Sequence, residues 1–365
     1  MSGWTYRYTG KYFYPTVEDI GKFVSVVLDM GPSTCVAISE YVVVKIDEEL
    51  IFEKRQAVYC QERAEGGNMR VVSYNVLADL YLNLKKRKDD GYFPYCPTKY
   101  LQILYYTFNF IGYKGDIIFL QEVDLSLSSF YLLRVMEDHG YDVYFKKKGL
   151  KVNEGLVICH RKEQFRYFYI VLCLDREYFS NPAFFQLLVL ECNDPYQNHI
   201  LLLANTHLYF NPKFTLIKVL QSLLCARWIV HIATSTKECN PESQLHVLFA
   251  GDFNSTPEEP VYELLSKGDP TSNIRYERND LSFTIYPRSA LFDLKLTNLA
   301  DETQYTNYTS HKGGFDGCID YIWGTPNLKV IIPMPSVDAA KKYVGLPSKI
   351  CPSDHLPVVC DIQIQ

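Results

Sequence analysis

The sequence predicts an α/β protein preceded by a small all-β module, on three observations. After residue 70, apolar segments of strand length recur between stretches with helical spacing. Before residue 60, short Tyr-, Val- and Phe-rich segments alternate with turn residues and show no helical period. At 365 residues the chain exceeds the usual size of one domain, and its 47% hydrophobic and 15% aromatic content suits an ordered core plus an appendage.

In chain order, "KYFYPT", "KFVSVVLD", "EYVVVKI" and "LIFEKR" are the expected strands of the small module, with "DMGPS" as a turn. "CQERAEGGNM" brings polar residues and two glycines and is the expected linker, so the domains fall at 1–64 and 65–365. The larger domain takes its strands from "RVVSYNV", "DIIFLQEV", "EGLVICHR", "QLLVLECN", "HILLLANTHL", "HVLFAGDFN", "CIDYIWG" and "LPVVCDIQI". Leu101, Leu104, Tyr105 and Phe108 recur at helical spacing, as do Leu216, Leu220, Leu223 and Trp228. "STPEEPVYELLSKG" is an expected helix, with Thr256 as N-cap, Pro257 in first position, Glu259 closing a capping box and Gly268 ending it.

Composition narrows the function. A net charge of −5 argues against a basic face gripping long duplex nucleic acid, and leaves single-stranded ends as possible partners. The 11 cysteines contain no CxxC pair, which suits reduced thiols better than a disulfide framework or a zinc site. With no run of 18 apolar residues and no signal-peptide pattern, the expectation is a soluble intracellular protein with no membrane partner. No obligate protein partner is evident either.

The chemistry is expected where apolar strands meet polar residues: Asn75, Glu122, His207, Asp252, Asn254, Asp320 and the pair Asp354 and His355. Asp252 and Asn254, two apart on an extended backbone, face the same side and offer a carboxylate and an amide to one ligand. If these ends converge, they form an oxygen-rich set without thiolate, which suits Mg²⁺ or Mn²⁺ and argues against zinc. Carboxylates, amides and imidazoles around such an ion are the equipment of phosphoryl transfer.

In that order, "VVSYNVLAD", "DIIFLQEVD", "ANTHLYFNP", "GDFNSTP", "GCIDYIW" and "SDHLPV" resemble the motifs of the endonuclease/exonuclease/phosphatase superfamily. The resemblance implies two packed mixed β-sheets flanked by helices, a DNase I-like four-layer sandwich. Within the superfamily the chain is similar to the deadenylase branch of poly(A) nucleases, nocturnin and 2′-phosphodiesterase. "YFPYCPTKYLQILY", "YTNYTSHKGGFDGCIDYI" and "VIIPMP" look most like the last of these.

The resemblance implies that Glu122 binds Mg²⁺ with Asn75 supporting the ion or the phosphate, and that Asp252 touches metal and aligns or activates the attacking water. It implies Asn254 as a ligand to metal and phosphate, His355 on the scissile phosphate oriented by Asp320, His207 donating to a phosphate oxygen, and Asp354 supporting the metal shell. Pro212 and Phe315 match positions that hold a base between them. The implied partners are single-stranded adenosine-rich RNA and 2′,5′-oligoadenylate, trimmed from the free end with release of 5′-AMP. The implied compartment is the mitochondrial matrix, with cytoplasm as the alternative. Two rival readings are a nocturnin-like NADP 2′-phosphatase and an inactive RNA-binding module. The lysines of "FKKKGLK", Lys146 to Lys148 and Lys151, are expected on a solvated hairpin that could hold phosphates if it lies near the site.

Overall fold

In the computed structural model the apolar segments pair into two six-stranded mixed sheets. It describes residues 4–10, 13, 15–39, 42–43, 51–64, 67–78, 81, 111–125, 132–149, 152–171, 184–267, 274–278, 281–285, 294–301, 305–309, 314–333, 344–348 and 351–365. The helical spacing over Leu101 to Phe108, the block "YFPYCPTKYLQILY", Lys151 and Gly268 lie outside the described residues. By its contacts the chain divides into two compact units, Met1–Glu49 and Leu50–Gln365.

In the smaller unit, β1 (Ser25–Asp29) and β2 (Thr34–Ile38) pair as an antiparallel hairpin after a short 3-10 turn, Val17–Asp19. Ile51 to Arg55 of the expected strand "LIFEKR" instead belong to helix α1 (Ile51–Tyr59), which falls within the larger unit. Packing decides this: Phe52 is fully buried, edge-on to Tyr74 and Tyr113, and the Arg55 guanidinium donates to the Pro357 carbonyl at 2.7 Å. The expected linker is docked as well. Arg70 donates to the carbonyls of Tyr59 and Glu62 while making a bidentate pair with Asp361 at 2.7 and 2.8 Å, so every face of its buried guanidinium is satisfied.

The first large sheet contains β3 (Asn68–Asn75), β4 (Ile117–Asp124), β5 (Tyr141–Lys147), β6 (Glu154–Arg161), β17 (Leu328–Pro333) and β18 (Val358–Ile364), in the order β17-β18-β3-β4-β6-β5. The second contains β7 (Phe165–Val171), β8 (Phe184–Cys192), β9 (His199–His207), β10 (Gln244–Asp252), β13 (Thr297–Asn298) and β16 (Asp320–Gly324), in the order β13-β16-β10-β9-β8-β7. Two small pairs complete the described strands: β11 (Ile274–Arg278) with β12 (Leu281–Ile285), and β14 (Asn307–Thr309) with β15 (Phe315–Gly317). Within each large sheet one parallel pair, β3 with β4 and β9 with β10, sits among antiparallel neighbours.

Side-chain alternation assigns each strand residue to a layer. Val71, Ile117, Phe119, Ile158, Leu188, Leu201, Leu203, Leu248, Ala250 and Ile322 fill the space between the sheets. Val72, Ile118, Leu120 and Val157 face the other way, onto α1 and α2 (Leu133–Asp138). Leu202, Ala204, Val247, Phe249 and Trp323 pack under α3 (Thr215–Cys239) and α4 (Pro260–Lys267). The result is the expected helix, sheet, sheet, helix sandwich.

Two helices differ in detail from expectation. The helix after "GDFNST" starts at Pro260, because a residue preceding proline is disfavoured in the α region and Glu259 therefore cannot be helical interior. The Glu259 carboxylate still accepts from the Thr256 N–H at 3.1 Å, so the capping bond survives without the expected first turn. On α3 the buried stripe is Leu216, Val219, Cys225, Ala226, Ile229 and Ile232, whereas Leu220, Leu223 and Trp228 lie partly buried at its flank. The stretch containing α3, Pro212–Cys239, is long and apolar enough to cross a membrane by length and composition, and more than half of its most apolar window is buried inside this fold.

Candidate active site

The same alternation that fills the inter-sheet layer with apolar residues turns polar at one end. Val71 gives way to Ser73 and Asn75 on β3, Phe119 to Gln121 on β4, Leu203 to Asn205 and His207 on β9, and Ala250 to Asp252 on β10. Parallel pairing keeps these ends level: Asn75 stands opposite Gln121 and His207 opposite Asp252. β16 runs antiparallel to β10, so its first residue, Asp320, also pairs with Asp252. Four strand ends and one strand start therefore meet at one rim.

Beneath the rim an amide bridge joins the sheets. Gln121 donates to Asn205 Oδ1 at 2.9 Å, and Asn205 donates back to the carbonyls of Leu120 and Val157 at 3.0 and 2.9 Å. These carbonyls flank an irregularity in the β4 and β6 pairing between Leu120 and Val123, where Glu122 adopts φ 57°. The bulge turns Glu122 toward the site. Leu77 and Asn254 also have positive φ, at 58° and 48°, so three of the five such non-glycine residues among the described residues belong to or flank the site. Backbone strain of this kind persists only where surrounding structure over-determines it. Gly251 has a different reason: a Cβ there would stand 2.0 Å from the Thr206 carbonyl oxygen on the neighbouring strand.

Asn75 spans the two sheets. Its amide nitrogen donates to Glu122 Oε1 at 3.1 Å and to Asp252 Oδ2 at 3.0 Å, and its oxygen accepts from the Leu77 N–H at 3.0 Å. The amide thus orients two carboxylates of the rim, one from each sheet. Glu122 Oε2 accepts from the Ala78 N–H at 3.1 Å. His207 Nε2 lies 3.8 Å from Glu122 and 3.6 Å from Asp252. His355 Nδ1 bonds Asp320 Oδ2 at 2.9 Å, leaving Nε2 3.7 Å from Asp252 Oδ2. Asn254 donates its backbone N–H to Asp252 Oδ1 at 2.9 Å and its amide to the Leu208 carbonyl at 3.1 Å. Asp354 Oδ2 accepts from Asn307 at 3.3 Å.

The electrostatics are those of crowded, buried anions. Burial, then the charge of Glu154, holds the Glu122 carboxyl well above its ordinary value. Burial and Asp320 push Asp252 from 3.8 up to about 7. Burial also raises Asp354. Burial works to lower His355, but the charges of Asp320, Asp354 and Asp252 overcome it and hold the imidazole well above its usual range. Burial, with Lys148 and His355 nearby, holds His207 well below its own. The field of the site thus favours the charged form of His355 and the neutral form of His207.

The donor set fits a hard divalent cation. Among the described residues, Oδ1 of Asp320 and Oδ1 of Asp354 are buried without a hydrogen-bond partner, and carboxylates in this density are stabilised by positive charge. Ligand atoms of Asp252, Asp320 and His355 come within 4.8 Å of one another. With His355 Nδ1 engaged by Asp320 Oδ2, its Nε2 is the imidazole atom that faces Asp252.

Pro212 opens the exposed turn before α3, after Asn211, whose side chain accepts from the Lys213 N–H at 3.0 Å. Phe315 is 38% exposed on β15. Of the hairpin lysines, Lys148 pairs with buried Glu154 at 2.5 Å, and Tyr81 donates to the same carboxylate at 2.8 Å. Lys148 is therefore no solvated surface charge: its field acts on both Glu122 and His207.

Several supporting residues were not singled out from sequence. Ser353 donates to the Asn75 carbonyl at 2.8 Å and accepts from the His355 N–H at 3.0 Å, tying β3 to the His355 loop. Thr306 Oγ1 accepts from the N–H groups of Ile319 and Asp320 at 2.9 and 3.1 Å. Serine and threonine carry no periodic signal of such a role. Lys218 does carry one, since a lysine interrupts the apolar stripe of α3.

The model of the endonuclease/exonuclease/phosphatase family matches residues 72–355. Human 2′,5′-phosphodiesterase 12 is 31% identical over 376 aligned residues, covering 92% of this chain and 56% of that protein. The CCR4-Not complex 3′-5′-exoribonuclease subunit Ccr4 of Debaryomyces hansenii is 27% identical over 286 residues, covering 70% of this chain and 34% of that protein. The chain thus spans about half the length, or less, of these curated relatives. Among solved structures, ANGEL2, a 2′,3′-cyclic phosphatase in complex with adenosine-2′,3′-vanadate, superposes with a TM-score of 0.68 at 19% identity, over 83% of this chain and 97% of that one. Sequence, fold and site geometry agree: the chain belongs to the endonuclease/exonuclease/phosphatase family.

Proposed function

We propose that the protein is a Mg²⁺-dependent phosphodiesterase that removes adenosine nucleotides from the 3′ end of poly(A) RNA and from 2′,5′-oligoadenylate, releasing 5′-AMP. The observation that carries this reading is the meeting of Asn75, Glu122, His207, Asp252 and the His355 and Asp320 pair at one rim of the inter-sheet layer. The names of the relatives support the substrate class: a 2′,5′-phosphodiesterase and a 3′-5′-exoribonuclease.

A divalent ion held by Glu122 and Asp252, with Asn254 and Asp354 in support, would neutralise phosphate oxygens. The chain's own groups do the rest. Asp252, fixed from both sides by Asn75 and Asn254, aligns the attacking water and takes up its proton. His355, charged and held at Nδ1 by Asp320, presents Nε2 to the phosphate and stabilises the charge that develops there. His207, neutral, donates a second hydrogen bond. Water adds to phosphorus, the bond from phosphorus to the 3′ or 2′ oxygen of the preceding nucleotide breaks, that oxygen takes up a proton from solvent to become a hydroxyl, and 5′-AMP departs. Pro212 and Phe315, both exposed, are assigned to stacking the terminal base.

The test is Mg²⁺-dependent release of AMP from matched 3′,5′- and 2′,5′-linked oligoadenylates, with Glu122→Gln in parallel. Hydrolysis of both by the wild type alone supports the proposal. Phosphate release from NADP with neither oligoadenylate cleaved would replace it with the 2′-phosphatase reading, and no turnover of any of the three would leave an inactive binding module.

A further inference from the structure

The apolar stripe that α3 lays on the second sheet contains a lysine with 0% of its surface exposed. All three protons of the Lys218 ammonium are directed: to the Asn254 carbonyl at 2.6 Å and to the two Glu259 oxygens at 3.0 and 2.9 Å. Removing an ammonium from water is unfavourable even when it is well paired, so an apolar residue would serve stability as well or better at this position. What Lys218 does that an apolar residue cannot is hold two points of the loop after β10. One is the carbonyl of Asn254, whose φ of 48° is sparsely populated for a non-glycine residue. The other is Glu259, which in turn accepts from the Thr256 N–H at 3.1 Å. Between them runs the turn that follows Asp252.

The consequence reaches the rim through Asn254. Its N–H is given to Asp252 Oδ1 and its amide nitrogen donates to the Leu208 carbonyl, so among the described residues the amide oxygen is the atom left to meet a ligand. We infer that Lys218 is a positioning residue: through Asn254 it fixes the direction of that amide oxygen and the rotation of the Asp252 carboxylate, and so sets metal affinity and turnover without touching either ion or substrate. This inference rests on the phosphodiesterase reading for its turnover arm only; its metal-binding arm stands alone.

The experiment compares the full chain with Lys218→Met, Lys218→Arg and the double variant Lys218→Met/Glu259→Leu. Mg²⁺ affinity is measured by calorimetry, thermal unfolding is followed in parallel, and kcat and KM are taken on oligoadenylate. Supporting residues behind a metal site typically change affinity or activity on the order of 10- to 100-fold when lost. Such a fall is expected in Mg²⁺ affinity and in kcat for Lys218→Met, with KM little changed. The double variant should unfold at or above the wild-type temperature and still bind Mg²⁺ weakly, while Lys218→Arg should recover part of the affinity. Wild-type Mg²⁺ affinity in Lys218→Met would overturn the inference, as would affinity restored together with stability in the double variant, or no Mg²⁺ binding by the wild type. If the wild type cleaves no oligoadenylate yet binds Mg²⁺ at least about tenfold more tightly than Lys218→Met, the functional proposal fails and the role of Lys218 stands.

Discussion

Asp252→Asn should abolish turnover and, in the absence of metal, make the protein more stable. Asp252 is 1% exposed, and burial with Asp320 beside it pushes its carboxyl from 3.8 up to about 7. A carboxyl raised by folding binds its proton more readily in the native than in the unfolded state, so native stability falls as pH rises from about 4 to about 7. Each pH unit in that window costs about 1.4 kcal/mol, an upper bound of about 4 kcal/mol above pH 7. Asparagine is isosteric and uncharged, but its NH₂ replaces one of the oxygens that now accept from Asn75 and Asn254, losing about 1 kcal/mol. The net gain at pH 8 is about 2–3 kcal/mol, read in a unit of this size as a rise in Tm of about 3–5 °C. The assay is thermal unfolding in a chelator at pH 8 and at pH 4.5, repeated with excess Mg²⁺. The variant's advantage should shrink at the lower pH. Mg²⁺ should stabilise only the wild type, by about 2.7 kcal/mol at one hundred times its Kd. A variant less stable than wild type at pH 8 without metal, or one equally stabilised by Mg²⁺, would refute the account of this site as crowded anions awaiting a cation.

Two other outcomes are expected. Phe315→Ala and Pro212→Ala should each raise KM for oligoadenylate about 5- to 100-fold, the equivalent of about 1–3 kcal/mol of stacking, with a smaller change in kcat; steady-state kinetics on a trinucleotide checks this, and an unchanged KM in both removes the base slot. At the opposite end of β9 and β10, His246 is fully buried, stacked on His199 with its Nε2 2.8 Å from His199 Nδ1, and burial lowers it to about 4. A histidine depressed by folding contributes stability that is present above pH 6.5 and lost as pH falls toward 4, at about 1.4 kcal/mol per unit. Urea unfolding of His246→Leu against wild type should therefore show a difference that moves by about 2 kcal/mol in the variant's favour between pH 7 and pH 5, and a constant difference would show that folding does not depress His246.

How far the sequence reached depended on whether the signal was local. Strand existence was legible because alternation and apolar runs are properties of neighbouring residues, and every strand expected after residue 70 is present. The rim was legible too, because a strand that turns polar at its end reports it in its own letters, as "FAGDFN" and "LLANTHL" do. Asp252 and Asn254 were therefore found with their neighbours, and the glycine before them is explained by the Thr206 carbonyl it must clear. Tertiary structure alone decided the rest. "LIFEKR" has the composition of a strand and becomes helix because Phe52 and Arg55 find partners on β3 and beside β18, far away in the chain. The roles of Asn75, Ser353 and Thr306 are likewise set by hydrogen bonds to distant segments, which no spacing records, whereas Lys218 marks itself by interrupting the apolar stripe of α3 and only its partners are decided by the fold. So too is the difference between the histidines: the sequence offers two imidazoles among acids, and only three-dimensional burial and proximity favour the charged form of His355 and the neutral form of His207.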